Sequence, residues 1–382
     1  MYELLDTLRR DPDIEAPNLF ASDTADRLVL DEAAGALSAA GPGEVVVIGD
    51  RYGALTLGAA DAYALSGIRS HQDRLVGEIA LAQNAERAGL SDRFVSLPLG
   101  EELLTGARVV LLQLPRGLVE LDEIADAIAR WADPGVVLFA GGRIKHLTRA
   151  MNDTLAVHFD DVRASLARQK SRVLVARGAR RPVDAVPYPV LVPNAELGLV
   201  VAAHGGAFAG ATLDIGTRFV LEFVDRAVET VQGLGPDATA IDLGCGTGII
   251  AARLAERHPG LRVLATDQSA AAVASASATM RANGLDDRVR VVRDDGLSNQ
   301  ADRSAALIVC NPPFHVGSAV HTGVALALFR EAGRVLRPGG LLVTVFNSHL
   351  AHRSELQRLV GSSEVWGQNP KFTVIASIAP PT

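Results

Sequence analysis

The sequence predicts an α/β protein built as two tandem domains, each a mostly parallel sheet with helices on both faces. Three observations lead there. A chain of 382 residues is longer than one core ordinarily serves. Short β-branched runs ending in Gly or Asp alternate with alanine-rich stretches, the pattern of strands joined by helical crossovers. The two halves also match each other at a shift of 195 residues, as an internal duplication would.

In the first half the strand runs are Glu44 to Ile48, Arg108 to Leu112 and Gly135 to Phe139. The second half supplies Thr239 to Leu243, Arg262 to Ala265, Val289 to Val292, Ala306 to Val309 and Gly340 to Phe346. At the shift, Gly49 falls on Gly244, Gly53 on Gly248 and Gly89 on Gly284, and after three extra residues Gln113 falls on Asn311. The stretch 181–195 is rich in proline and poor in helical periodicity, so it reads as a linker between domains 1–180 and 196–382.

Composition removes several classes. With 48% hydrophobic and 21% charged residues the chain is globular rather than disordered. It has no run of 18 uncharged apolar residues, and acids stand near its start, so a cytoplasmic protein is expected; a monomer is the expected assembly. Two cysteines, Cys245 and Cys310, build no disulfide framework, and no His, Asp or Glu spacing supports a metal site, so no metal is expected. The net charge of −7 argues against indiscriminate polyanion binding.

The chemistry begins at Gly244-Cys245-Gly246-Thr247-Gly248, between a strand and a helix that starts near Ile249. Glycines there let a ligand approach the backbone and present amides at a helix N-terminus. Alone, such a turn could equally be a dinucleotide loop or a tight strand-to-helix connection. Its context narrows the choice: Asp242 precedes the loop, Asp267 with Gln268 ends the next strand, where a ribose needs a carboxylate, and Asp294 and Asp295 end the third. This segment resembles the class I S-adenosylmethionine-dependent methyltransferases, through DLGCGTG and the acids after the second and third strands. The resemblance implies a seven-stranded sheet, closed by an antiparallel pair at SSEVWGQ and FTVIASI, and S-adenosylmethionine as cofactor.

The fourth strand ends in Asn311-Pro312-Pro313-Phe314. A planar exocyclic amine is a poor nucleophile because its lone pair is delocalised into the ring. The Asn311 amide oxygen and the Pro312 carbonyl can accept its hydrogens and favour a pyramidal nitrogen, the prolines stiffen the turn, and Phe314 offers a face for a flipped base. The form NPPFHVG, with His315, is similar to the bacterial ribosomal RNA guanine-N(2) methyltransferases, tandem proteins whose first domain is degenerate.

That resemblance, strong over about 205–378, places Asp214 and Gly216 of LDIG beside the cofactor, and nominates Asn347, His349, Lys371 and Phe372 near the substrate. It is closer to the large-subunit branch. It implies methyl transfer to the exocyclic amine of a guanine in ribosomal RNA. Adenine, a glutamine side chain or a small-molecule amine are alternative acceptors, and an RNA-binding assembly factor is a reading of another class.

In the first half, Asp50, Arg51 and Tyr52 replace Cys245, Gly246 and Thr247, Gln72 replaces Asp267, and Gln113-Leu114-Pro115-Arg116 replaces the NPPF motif. It is therefore expected to be a noncatalytic RNA-positioning platform. Residues 1–190 hold 21 basic against 27 acidic groups and residues 191–382 hold 16 against 17, so neither half is basic. A local run of seven cations without an acid, including Arg168, Lys170 and Arg172, spans 162–183. It reads either as a solvated face or as a phosphate-contacting strip.

Overall fold

A computed structural model describes residues 2–234, 239–312 and 320–381. The chain divides into two compact units, Met1–Tyr188 and Pro189–Thr382.

The N-terminal unit contains seven strands: β1 (Val45–Ile48), β2 (Ile68–His71), β3 (Phe94–Ser96), β4 (Val109–Gln113), β5 (Val137–Arg143), β6 (Phe159–Ala164) and β7 (Ser171–Ala179). They lie in the order β3-β2-β1-β4-β5-β7-β6. β1 to β5 are parallel, and β7 is antiparallel to both β5 and β6. All four residues of β1 are buried, as a central parallel strand covered on both faces requires.

The C-terminal unit begins with a hairpin, β8 (Val190–Asn194) and β9 (Leu199–Ala203). Its main sheet holds β10 (Thr239–Leu243), β11 (Arg262–Asp267), β12 (Val289–Arg293), β13 (Ala305–Cys310), β14 (Leu336–Asn347), β15 (Ser362–Gln368) and β16 (Phe372–Ile378). Their order is β12-β11-β10-β13-β14-β16-β15, the same as in the first unit. The antiparallel pair at β15 and β16 has the bounds the sequence suggested.

The hairpin corrects one expectation. Residues 190–194, expected as linker, form a strand. The partner edge is satisfied by side chains of the helix Ala270–Ala282 and the residue that ends it. Ser275 Oγ accepts from His204 N, Thr279 Oγ1 from Ala202 N, and Asn283 both accepts from Val200 N and donates to Val200 O. These three side chains are four residues apart, so one helix face offers a ladder to an extended chain. That ladder is invisible in the local sequence of β8 and β9.

Backbone dihedrals repeat as well. Gly49 and Gly244 have φ of 74° and 76°, and Gly89 and Gly284 have 67° and 64°. The most constrained pair is Gly53 and Gly248, which open the helices Ala54–Ala62 and Ile249–Arg257. A Cβ at Gly53 would lie 2.8 Å from Leu81 Cδ1, and one at Gly248 would lie 2.9 Å from Met280 Cε. Both glycines are left-handed and pressed against a neighbouring helix.

Gly53→Ala and Gly248→Ala should therefore each destabilise their own unit by about 2–5 kcal/mol, combining left-handed strain with overpacking. Urea unfolding followed by far-UV circular dichroism checks this as a lowered midpoint.

Candidate active site

In open α/β sheets ligands bind where the strand order reverses, beyond the C-terminal ends of the strands. In the C-terminal unit that point lies between β10 and β13, where Leu243 pairs with Cys310. The glycine loop leaves β10 there, and Asn311 follows β13.

The loop is held through its backbone amides, mostly by the neighbouring strand β11. Gly244 N and Cys245 N both donate to Thr266 O at 2.9 Å, Gly248 N donates to Cys245 O at 2.8 Å, and Gly246 N donates to Asp267 Oδ2 at 3.0 Å. Gly246 sits at φ 53°, and a Cβ there would meet nothing within 4 Å. It thus faces open space, whereas Gly248 faces a helix, and Cys245 turns its side chain into the apolar core at 7% exposure. Desolvation first, then the nearby carboxylates, pushes the Cys245 thiol well above its ordinary range, so neither this group nor the equally buried Cys310 is a ready nucleophile. Thr247 is buried too.

The acids divide by environment. Asp242 is fully buried; its Oδ2 accepts from Ala251 N at 2.9 Å, and its Oδ1 has no partner among the described residues. Desolvation first, with Asp267 adding to it, pushes its carboxyl up to about 7. Asp267 also accepts from Ser269 N at 2.9 Å, so it shapes the turn while a carboxylate retains lone pairs for a hydroxyl. The Gln268 side-chain oxygen is buried and has no partner among the described residues.

Asp294 is a correction. Rather than facing a ligand, it is fully buried and accepts from Ser298 Oγ at 2.7 Å, Asn299 Nδ2 at 3.0 Å and Gln300 Nε2 at 3.3 Å. It fastens the loop that carries Asp295, which keeps partial exposure.

Asn311 is clamped by its nitrogen. Nδ2 donates to Asp214 Oδ2 at 3.2 Å and to Thr217 Oγ1 at 3.0 Å, while the buried Oδ1 has no partner among the described residues. Asp214 is itself the N-cap of the helix Ile215–Leu221 and accepts from Gly216 N and Thr217 N. Since that oxygen can only accept, the amide is fixed with its nitrogen inward. Gly216 permits the approach: a Cβ there would lie 3.0 Å from Asp214 Oδ2, 3.3 Å from Asn311 Oδ1 and 3.4 Å from the Phe372 ring. Thr217 was not singled out from the sequence; its signal was a hydroxyl three residues after a capping Asp, on the same first turn.

Pro312 is buried, and Pro313, Phe314 and His315 lie outside the described residues. Asn347 pairs with Phe372 across β14 and β16, Ser348 N donates to Lys371 O, and Lys371 Nζ stands 5.5 Å from the Phe372 ring centroid. Asn347, Lys371 and Phe372 are therefore neighbours, the Phe372 ring and Asn311 Oδ1 both flank Gly216, and the exposed His349 lies in the turn Ser348–Leu350. Phe372 is largely buried and contributes a wall, not a free face.

The expected basic strip belongs to the N-terminal unit, and three of its seven cations are paired with acids there. Arg163 pairs with Asp161, Arg168 with Asp31 and Glu32, and Arg180 with Asp160. Arg172 is half-buried in β7 and Lys170 is exposed beside it. The acids that answer the run lie outside it in sequence. Among the described residues no group of three or more His, Cys, Asp or Glu is arranged to hold a metal ion, and no helix is long and apolar enough to cross a membrane.

Comparison with known proteins bears on both units. The methyltransferase small domain model matches residues 198–376, and the RLMG N-terminal domain model matches residues 3–180. The ribosomal RNA large subunit methyltransferase G of Pseudomonas paraeruginosa is 34% identical over 378 residues, covering 98% of this chain and 97% of that protein. The chain belongs to the ribosomal RNA large subunit methyltransferase G family. The methyltransferase G of Shewanella amazonensis is 32% identical over 97% of this chain and 95% of its own. A 16S rRNA N2 methyltransferase from T. thermophilus, solved in complex with AdoMet and guanosine, shares the fold with a TM-score of 0.72, at 21% identity over 96% of this chain and 97% of its own.

For this methyltransferase G family member, the glycine loop, the open space at Gly246 and the unpartnered oxygens of Asp242 and Gln268 fit S-adenosylmethionine. Gly246→Ala should lower cofactor affinity at least tenfold while costing only about 1–2 kcal/mol of stability, because its Cβ meets the ligand space and not the protein. Calorimetric titration beside a urea melt separates the two effects.

A pH effect follows from Asp242. An unfolded Asp titrates near ~4, so between there and about 7 the folded form holds a proton that the unfolded form has lost. The group's stabilising contribution is complete below the lower value and is lost as pH rises through about 7. Asp242→Asn should match the wild type in melting temperature near pH ~4 and exceed it by roughly 2–4 °C for each kcal/mol recovered at higher pH. Its cofactor affinity should fall, because the charge that answers a cation is gone; fluorimetric melts and titrations from pH ~4 to above about 7 test both.

Proposed function

We propose that this protein transfers a methyl group from S-adenosylmethionine to the exocyclic amino group of a guanine in ribosomal RNA. The observation that carries the reading is the Asn311 amide, whose nitrogen is held by Asp214 and Thr217 and whose oxygen has no partner among the described residues. A buried acceptor with no donor is costly unless a ligand supplies one. An aromatic amine supplies two.

When bound, S-adenosylmethionine supplies an electrophilic methyl group on a cationic sulfur. The protein's residues do the rest by placement. Gly244 to Gly248 admit the ligand against backbone amides, Asp267 offers lone pairs to ribose hydroxyls, and Asp242 presents a buried carboxylate to a cationic group. Asn311 Oδ1 and the Pro312 carbonyl accept the amine hydrogens, so that the lone pair is no longer shared with the ring. Because the acceptors are aimed before the substrate arrives, little reorganisation remains for the reaction. The nitrogen becomes cationic on transfer and then loses a proton to water, so no dedicated base is needed.

The names of the relatives support ribosomal RNA as the substrate class, and the guanosine in the fold relative supports the choice of base. The N-terminal unit lacks the counterparts of Gly246, Asp267 and Asn311, having Arg51, Gln72 and Gln113 instead. This supports a role in positioning RNA and not a second catalytic centre.

Purified protein, labelled cofactor and ribosomal RNA from a strain lacking the gene should yield one labelled N(2)-methylguanosine by nucleoside mass spectrometry. Label in adenine, or in protein with none in RNA, overturns the reading. Asn311→Ala should lower kcat about 100- to 1000-fold with cofactor affinity changed only a few-fold. Thr217→Val should lower kcat about tenfold through a loosened amide, with Thr217→Ser restoring it.

A further inference from the structure

The N-terminal unit retains an open cleft at the same topological position as the candidate active site of the C-terminal unit. Its ionisable lining is Arg51, Arg116 and Arg143 with His146, against a single carboxylate, Asp23. Each arginine stands where the second unit has an uncharged residue. Arg51 occupies the position of Gly246, with φ 50° against 53°. Leu112 pairs with Ala140 as Cys310 pairs with Thr344, so Arg143 occupies the position of Asn347, and Arg116 follows Gln113 as Phe314 follows Asn311.

Arg51 is the telling residue. A left-handed backbone disfavours any side chain with a Cβ, and glycine would serve the turn better. Its neighbours Asp50 and Tyr52 are drawn into the fold: Asp50 accepts from Leu55 N and Thr56 N, and the Tyr52 hydroxyl donates to Asp13. Arg51 is exposed and lines the cleft.

These cations have few internal answers: the charge of Arg51 acts on the buried Asp26 carboxylate, which Gln113 Nε2 already donates to. Among the described residues neither Arg51 nor Arg116 forms an ion pair, in contrast to Arg168 and Arg180 of the basic run. Among the described residues the Arg143 side chain donates to Thr24 Oγ1, at 2.9 Å, and pairs with no acid, and the Asp23 carboxylate is committed as a helix cap to Ala25 N. Partial desolvation first, then Arg116, Lys145, Arg51 and Arg143, holds the His146 imidazole below its ordinary value. Leu114, Leu147 and Met151 give the same cleft apolar walls, which strengthen any charge interaction inside it.

We propose that this cleft binds a phosphate group, either a phosphodiester of the RNA substrate or a free phosphate ester. Guanidinium forks match phosphate oxygens in pairs, and an anion removes the mutual repulsion of three converging arginines. The phosphate site stands on the N-terminal unit alone; its RNA arm rests on the proposed function.

The test uses the full-length protein, wild type and the double variant Arg51→Gly, Arg116→Ser. Arg51→Gly relieves the left-handed strain and Arg116 is exposed, so the variant should melt no lower than the wild type; Arg116→Ser alone serves if it does not fold. Inorganic phosphate, titrated at constant ionic strength and followed by calorimetry, should bind at least tenfold more weakly to the variant. Ribosomal RNA affinity is measured in parallel across salt. A tenfold loss, with a salt slope shallower by about 0.7–0.9 for each contact removed, assigns the site to an RNA phosphodiester. Lost phosphate binding with unchanged RNA affinity assigns it to a free ester. Variant and wild type alike on both counts overturns the proposal. S-adenosylmethionine binding, measured on the same samples, separates this failure from failure of the catalytic reading.

Discussion

The clamp on the Asn311 amide is the interaction on which the site depends. An asparagine side chain presents a donor and an acceptor of nearly equal size, and either could face the substrate. Asp214 removes the ambiguity because a carboxylate only accepts, and Thr217 adds a second acceptor on the same side. Asp214 is fixed in turn by capping its own helix, and that close approach requires Gly216. One short segment, Asp214 to Thr217, thereby decides which atom of a residue nearly a hundred positions away meets the ligand.

The two units show what a shared fold does and does not carry. Strand order and glycine dihedrals repeat, so backbone geometry has been kept where packing demands it. Gly53 and Gly248 are held by neighbouring helices in either unit. The position facing open space is the one that changed, from Gly246 to Arg51. The fold thus tolerates substitution where a ligand, not the protein, is the neighbour, and the chemistry of the cleft changes sign without disturbing the sheet.

Much of this was legible in the sequence. β10 has the bounds its β-branched run suggested, as do β15 and β16, because strand propensity and turn residues act over a few positions. The loop glycines and Asn311 were legible because their residue types are tied to local backbone needs. What was not legible involved partners distant in the chain. Residues 190–194 read as linker because the helix face that satisfies the hairpin lies some eighty residues on. Asp294 read as a ligand contact because its position at a strand end was visible, while the three side chains that occupy it were not.

Charge gives the clearest division between the two levels. The sequence by itself determined the residue chemistry: an uncharged acceptor at Asn311, acids after the strands, glycines in the loop, and a net charge that excludes indiscriminate binding of polyanions. It also displayed a run of seven cations that drew attention. Tertiary structure alone decided which cations are available. Arg168 and Arg180 of that run are answered by acids brought to them by the fold, whereas Arg51, Arg116 and Arg143, scattered in sequence, converge with little to neutralise them. Backbone geometry is set by neighbours in the chain. A charge is set by neighbours in space, and those exist only once the sheet has formed.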